Sequence, residues 1–240
     1  VIREIGLTFL DIVYPRVCGG CGGAAMQSGG HWCWDCRRKI ELIADRYCSR
    51  CGDPIFGEAD HPFFVCRTCG SGEPRFDLAR SAARYSGPLK NAIQEFKYRA
   101  GLHLLRDLAD LATAAVRVHY VHKPIDVVTC VPLRASRLRE RGYNQAQLLA
   151  ERVGSDLRLP VWPQALVRVR KTETQAGLAA AQRRLNVAGA FGPGRPSWIK
   201  GRNFLLVDDV MTTGATVNEC AKVLKQAGAC RVYVVTVARG

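Results

Sequence analysis

Phe204-Leu205-Leu206-Val207-Asp208-Asp209-Val210-Met211-Thr212-Thr213-Gly214-Ala215-Thr216 decides how this chain is read. The apolar residues up to Val207 predict a buried strand over 203–207. Two adjacent carboxylates follow, then a turn of small residues, then a helix expected over 215–227. Small turn residues leave backbone N–H groups clear of bulky side chains. The helix N-terminus near Gly214 adds its positive end, so amides and Thr hydroxyls together suit a phosphate group. Asp208 and Asp209, one loop away, suit a pair of sugar hydroxyls. They would repel a polyphosphate unless a hydroxyl pair or a divalent cation lay between. The G-x-x-x-x-G-K-[ST] loop is excluded, because its Lys and first Gly are missing. The bland alternative is a strand end and a capped helix whose acids are merely solvated.

Around this segment the chain alternates strands and helices. Strands are expected at 78–85, 125–131 and 231–237, helices at 88–99, 102–121 and 143–158, and an extended stretch at 161–169. Residues 192–196 read as a loop. Short, almost wholly apolar strands separated by helices predict a parallel sheet with helices on both faces, an α/β domain over 76–240.

Residues 1–75 read differently. Eight of the eleven cysteines form four C-x-x-C pairs: Cys18/Cys21, Cys33/Cys36, Cys48/Cys51 and Cys66/Cys69. A two-residue gap lets both sulfurs of a turn face one metal, and two such turns close a tetrahedral thiolate site. Gaps of eleven, eleven and fourteen residues between the pairs are those of short zinc ribbons. The stretch 15–75 has few aliphatic residues, so metal binding, worth about 10–16 kcal/mol per structural site in small peptides, must supply its stability. Two structural Zn²⁺ sites are expected, pairing the first two units and the last two. A cross-braced pairing stays open, and a disulfide framework or an iron–sulfur cluster fits less well. Cys130, Cys220 and Cys230 read as buried core thiols.

The formal net charge is +14, and all of the excess lies in residues 76–240. Residues 134–184 hold eleven basic and four acidic residues. A cleft for a polyphosphate and a surface for nucleic acid would both produce this. No run approaches the roughly 18 apolar residues of a membrane span. Residues 1–14 predict an amphipathic helix stopped by Pro15 rather than a signal peptide. The five histidines form no triad-like set, and His31 and His61 read as surface residues or spare ligands.

The segment 204–216 resembles the 5-phosphoribosyl-1-pyrophosphate (PRPP) motif of type I phosphoribosyltransferases. With the ribbons, the chain resembles the ComF family, phosphoribosyltransferase-like proteins linked to competence for DNA uptake. Cys130-Val131-Pro132-Leu133 with Arg137-Leu138-Arg139-Glu140-Arg141-Gly142-Tyr143-Asn144-Gln145 matches a second block of that family. Residues 168–178 with 183–187 match its flexible loop, and Phe96-Lys97-Tyr98 also recurs. The resemblance implies that Val207, Val210, Met211 and their neighbours form the PRPP loop. It assigns Asp208 and Asp209 to the ribose hydroxyls, and Thr212, Thr213, Gly214, Ala215 and Thr216 to the 5′-phosphate. It further implies that Arg134 and Arg137 meet the pyrophosphate with Mg²⁺, and that Lys171 lies over the reacting centre.

The expectation is therefore a cytoplasmic PRPP-binding protein that assists single-stranded DNA handling in natural transformation, alongside competence-machinery proteins. A salvage or amidotransfer enzyme with a structural ribbon, and a non-catalytic PRPP-sensing regulator, are the rival readings. Any DNA contact is expected on the basic surface, with stacking on Trp32, Trp34 and Tyr47.

Overall fold

The computed structural model describes residues 16–26, 30–55, 63–72, 74–170 and 180–240. The expected N-terminal helix, His61 and Lys171 lie outside these residues. Two short helices, α1 (Trp34–Arg38) and α2 (Arg67–Ser71), belong to the cysteine-rich part. Next come β1 (Leu78–Arg84), α3 (Gly87–Tyr98), α4 (Leu105–His119), β2 (Val127–Cys130), α5 (Ala135–Arg141) and α6 (Gln145–Leu157). The chain continues through β3 (Leu166–Arg168), α7 (Ala180–Val187), β4 (Phe191–Pro193) and α8 (Pro196–Ile199). It closes with β5 (Asn203–Met211), α9 (Ala215–Gln226) and β6 (Arg231–Arg239).

Four strands form a parallel sheet in the order β1-β6-β5-β2. The strands are buried along almost their whole length, which is why they read as continuous apolar runs. α4 and α6 pack together against β1, β2, β5 and β6, and α9 packs on β5 and β6 and against the antiparallel β3–β4 pair. Leu89, Ile93 and Phe96, spaced along α3, are fully buried, as their helical spacing predicts.

Both sheet edges are covered, so neither leaves its backbone groups open to another chain. At β1, Ile43 N donates to Ala82 O at 3.0 Å, Ala79 N to Arg50 O at 2.9 Å and Arg84 N to Glu41 O at 2.8 Å. The cysteine-rich part is thus laid along β1. At β2, Val128 N donates to Pro160 O at 2.9 Å and Trp162 N to Val128 O at 2.8 Å.

Four local expectations need correction. β5 runs to Met211 rather than stopping at Val207, because Asp208, Val210 and Met211 pair with Thr236, Ala238 and Arg239 of a longer β6. The acids looked like a strand end, but ladder pairing decides strand length. The extended stretch 161–169 is broken by a 3₁₀ turn at Pro163–Ala165 before β3. The expected loop 192–196 contains the end of β4, which pairs antiparallel with β3. Cys130 and Cys220 are buried, but Cys230, at the turn into β6, is exposed.

Candidate functional site: a phosphate turn beside two cysteine clusters

Strand alternation in β5 turns Val207, Asp209 and Met211 inward, while Asp208 and Val210 are half-buried. Asp209 is therefore a carboxylate in the protein interior, 4% exposed. Its partner is Lys97 from the end of α3, with Nζ 2.8 Å from Oδ1. Burial alone would strip the Lys97 charge, but Asp209, and behind it Asp208, holds the amine above its ordinary value. The other carboxylate oxygen, Asp209 Oδ2, is buried with no hydrogen-bond partner. Burial, and then the neighbouring Asp209 charge, pushes the Asp208 carboxyl up to about 8.

After Met211 the chain turns through Thr212-Thr213-Gly214 into α9. Gly214 has φ +74°, and a Cβ there would come within 2.9 Å of Met211 Cε, so only glycine fits without strain. Ala215 N donates to Thr213 Oγ1 at 3.4 Å. Among the described residues, the amides of Thr212, Thr213 and Gly214 have no backbone acceptor. Three amides and two hydroxyls at the start of a twelve-residue helix suit an anion.

The second block meets this turn at the C-terminal ends of the strands. Val131 N donates to Val207 O at 3.1 Å, and Asn144 Nδ2 to Val131 O at 3.1 Å. Beyond Cys130 lies a cavity of about 870 Å³ lined by Pro132, Arg134, Arg139, Asn144, Arg168 and Arg170. Burial, with Arg134 nearby, holds the Arg168 guanidinium below its usual value, while Asp208 works the other way. Arg137 does not line this cavity; its Nη1 bonds both oxygens of Glu140, at 2.8 and 2.7 Å.

Sequence reasoning placed Arg134 here and Arg168 only as part of the family's flexible loop, and it gave no role to Lys97. The signal for Lys97 lay in Phe96-Lys97-Tyr98. Tyr143 of the second block donates its hydroxyl to Phe96 O, and Arg141 stacks over Tyr98 at 4.6 Å. Three separated segments thereby converge on one site.

The four cysteine pairs close as two sequential clusters, Cys18/Cys21/Cys33/Cys36 and Cys48/Cys51/Cys66/Cys69, each with its sulfurs within 4.8 Å of one another. The cross-braced alternative is thereby ruled out. Cys21 and Cys33 sulfurs are 3.8 Å apart, and Cys51 and Cys66 sulfurs 3.7 Å. Tetrahedral Zn–S bonds of about 2.3 Å require edges of about 3.8 Å, so the donor set fits zinc. Backbone amides donate to the sulfurs, Cys33 N to Cys18 Sγ at 3.2 Å and Cys66 N to Cys48 Sγ at 3.3 Å, as thiolates require. With four protein donors these sites leave no position for substrate. His31 is not a spare ligand, since its N and Nδ1 meet Asp107 Oδ2 at 3.1 and 3.2 Å. Of the expected stacking residues, Trp32 is buried and Tyr47 is engaged by His119 and Arg80, whereas Trp34 is 67% exposed.

Comparison with known proteins agrees with this architecture. Residues 9–71 match the double zinc ribbon domain, and residues 107–240 the phosphoribosyl transferase domain. Sheet, turn and clusters thus define a phosphoribosyltransferase-fold protein preceded by a double zinc ribbon. Competence protein F of Haemophilus influenzae is 34% identical over 227 residues, covering 92% of this chain and 96% of that protein. DNA utilization protein YhgH of Escherichia coli (strain K12) is 33% identical, covering 85% and 89%, and competence protein ComFC of Bacillus subtilis 30% identical, covering 82% and 78%. The chain belongs to the competence protein F family. No helix among the described residues is long and apolar enough to cross a membrane.

Proposed function

We propose that the chain binds PRPP·Mg²⁺ at Asp208, Asp209 and the Thr212–Thr216 turn, and serves in the cytoplasmic handling of single-stranded DNA during DNA uptake. The observation that carries the PRPP reading is the buried, partnerless Asp209 Oδ2 directly before a turn rich in open amides. A ribose hydroxyl supplies the donor that this oxygen lacks, and the turn receives the 5′-phosphate. Arg134 and Arg168, at the opposite end of the site, face the pyrophosphate. Lys171, outside the described residues, is assigned to the reacting centre by the family resemblance alone. Residues 1–75 act as a metal-stabilised module and residues 76–240 as the PRPP-binding domain.

In this reaction class the ribose C1 gains oxocarbenium character as pyrophosphate leaves, so positioning and charge stabilisation are the protein's tasks. The DNA-handling role rests on relatives named for competence and DNA utilization.

Calorimetry with PRPP·Mg²⁺ tests the site. Replacing Asp208 and Asp209 together with Asn, with Lys97→Met in the same chain so that no buried ammonium is left unpaired, is expected to weaken binding at least tenfold, since each charge-assisted bond contributes about 1.5–3 kcal/mol. Thr213→Val is expected to weaken it less, because backbone amides remain. Equal affinity of wild type and this triple variant would refute the assignment. Pyrophosphate release with a nucleobase acceptor would place the protein in nucleotide salvage instead.

A further inference from the structure

Resting on the PRPP reading, the structure assigns a phosphate-site role to Arg239. A cavity of about 640 Å³ separates the Thr212-Thr213-Gly214 turn from Asp53 and Cys69 of the second ribbon. Arg239, the last residue of β6, lines this cavity and is only 8% exposed. Its Nε donates to Asp53 Oδ1 at 2.9 Å, and its Nη2 lies 4.0 Å from Cys51 Sγ. One edge of the guanidinium is therefore fixed by the ribbon. Nη1, on the other side, is buried and has no hydrogen-bond partner. A buried charged donor without an acceptor costs free energy, and a ligand that brings an anionic oxygen removes that cost.

The backbone keeps this guanidinium next to the turn. Arg239 pairs in register with Met211, the residue before Thr212, and Gly240 N donates to Met211 O at 3.0 Å. The acids of the cavity are already engaged, Asp53 by Arg239 itself and Glu219 by Gly189 N at 2.9 Å and Lys222 Nζ at 3.3 Å. Arg239 is thus, among the described residues, the cation of the 5′-phosphate pocket, supplied by the last strand and held in place by the second ribbon. The ligand class is a sugar 5-phosphate. Because Cys51 of the second cluster contacts the same guanidinium, phosphate binding and metal retention at that cluster are linked, and such linkage is reciprocal.

The test titrates ribose 5-phosphate and magnesium pyrophosphate into full-length wild type, Arg239→Lys and Arg239→Met, with zinc content measured in each. Arg239→Met is expected to weaken ribose 5-phosphate at least tenfold and Arg239→Lys less, with pyrophosphate binding unchanged in both. Equal ribose 5-phosphate affinity in wild type and Arg239→Met, at unchanged zinc content, overturns the proposal. Should the Met variant lose zinc, Arg239-intact protein decides. With Cys33→Ser removing the first site, saturating ribose 5-phosphate is expected to slow zinc transfer to a chromogenic chelator at least fivefold. An unchanged transfer rate overturns the linkage and with it the proposal. Protein that binds neither PRPP nor ribose 5-phosphate overturns the function above as well, whereas normal PRPP binding that ignores Arg239 overturns this inference alone.

Discussion

Lys97 brings a charge into the interior, where Asp209 receives it at 2.8 Å. Removing one partner of such a pair leaves the other charge uncompensated, at a cost of about 3–5 kcal/mol. Lys97→Met is therefore expected to lower the urea unfolding free energy by that amount. Adding Asp209→Asn in the same chain is expected to restore most of it, and strict additivity of the two losses would show that the pair is not coupled. Asp208 makes a second residue-scale prediction. Its folded pKa, about 8, lies above the ordinary carboxylate value near 3.9. The native state then holds the extra proton between those limits, so this group's contribution to stability falls as pH rises from about 4 to about 8. Asp208→Asn is expected to flatten that part of the stability profile, measured as urea midpoints between pH 5 and pH 9.

At the scale of elements, β1 depends on residues that precede it. Its amides at Ala79 and Arg84 donate to Arg50 and Glu41, at 2.9 and 2.8 Å, and Arg50 lies inside the second ribbon's first C-x-x-C turn. Ribbon folding energy is largely metal-binding energy. Purified protein is expected to carry two zinc ions, and Cys33→Ser or Cys66→Ser one each. Hydrogen exchange separates the two: Cys66→Ser is expected to expose the Ala79 amide far more than Cys33→Ser does. Equal protection of Ala79 in both variants would mean that β1 stands without the second ribbon.

At the scale of the molecule, four arginines share one cavity, and the excess positive charge lies in residues 76–240. Arg134, Arg139, Arg168 and Arg170 surround one cavity, while residues 1–75 have nine basic and nine acidic residues. A four-thiolate zinc site adds about −2 to each cluster, so the ribbons attract phosphates poorly. Single-stranded DNA binding by the full-length protein is expected to weaken with salt, at a log–log slope of about −0.7 per phosphate neutralised. Replacing Arg139 and Arg170 with Ala is expected to make that slope shallower by about 1.4 in an anisotropy titration. An unchanged slope would move the contact elsewhere, with stacking on exposed Trp34 the first place to look.

The sequence by itself determined the two chemistries. C-x-x-C spacing is set by the reach of two sulfurs around one ion, and the Asp-Asp to Thr-Thr-Gly run by the geometry of one turn. Both are local, so neighbouring residues are enough to specify them. Most helices and strands were legible for the same reason, since apolar periodicity is a local consequence of burial on one face. Only the tertiary structure decided the pairing of the cysteine units, the length of β5 and the partners of Asp209 and Arg239. Lys97 and Asp209 are 112 positions apart, and Arg239 lies 186 positions after Asp53. No spacing rule links such residues, because what joins them is the parallel register of β5 and β6 and a ribbon laid along β1. The inward turn of Asp209 came from ladder pairing beyond Val207, which places a carboxylate expected at a sugar hydroxyl inside the protein, opposite a lysine.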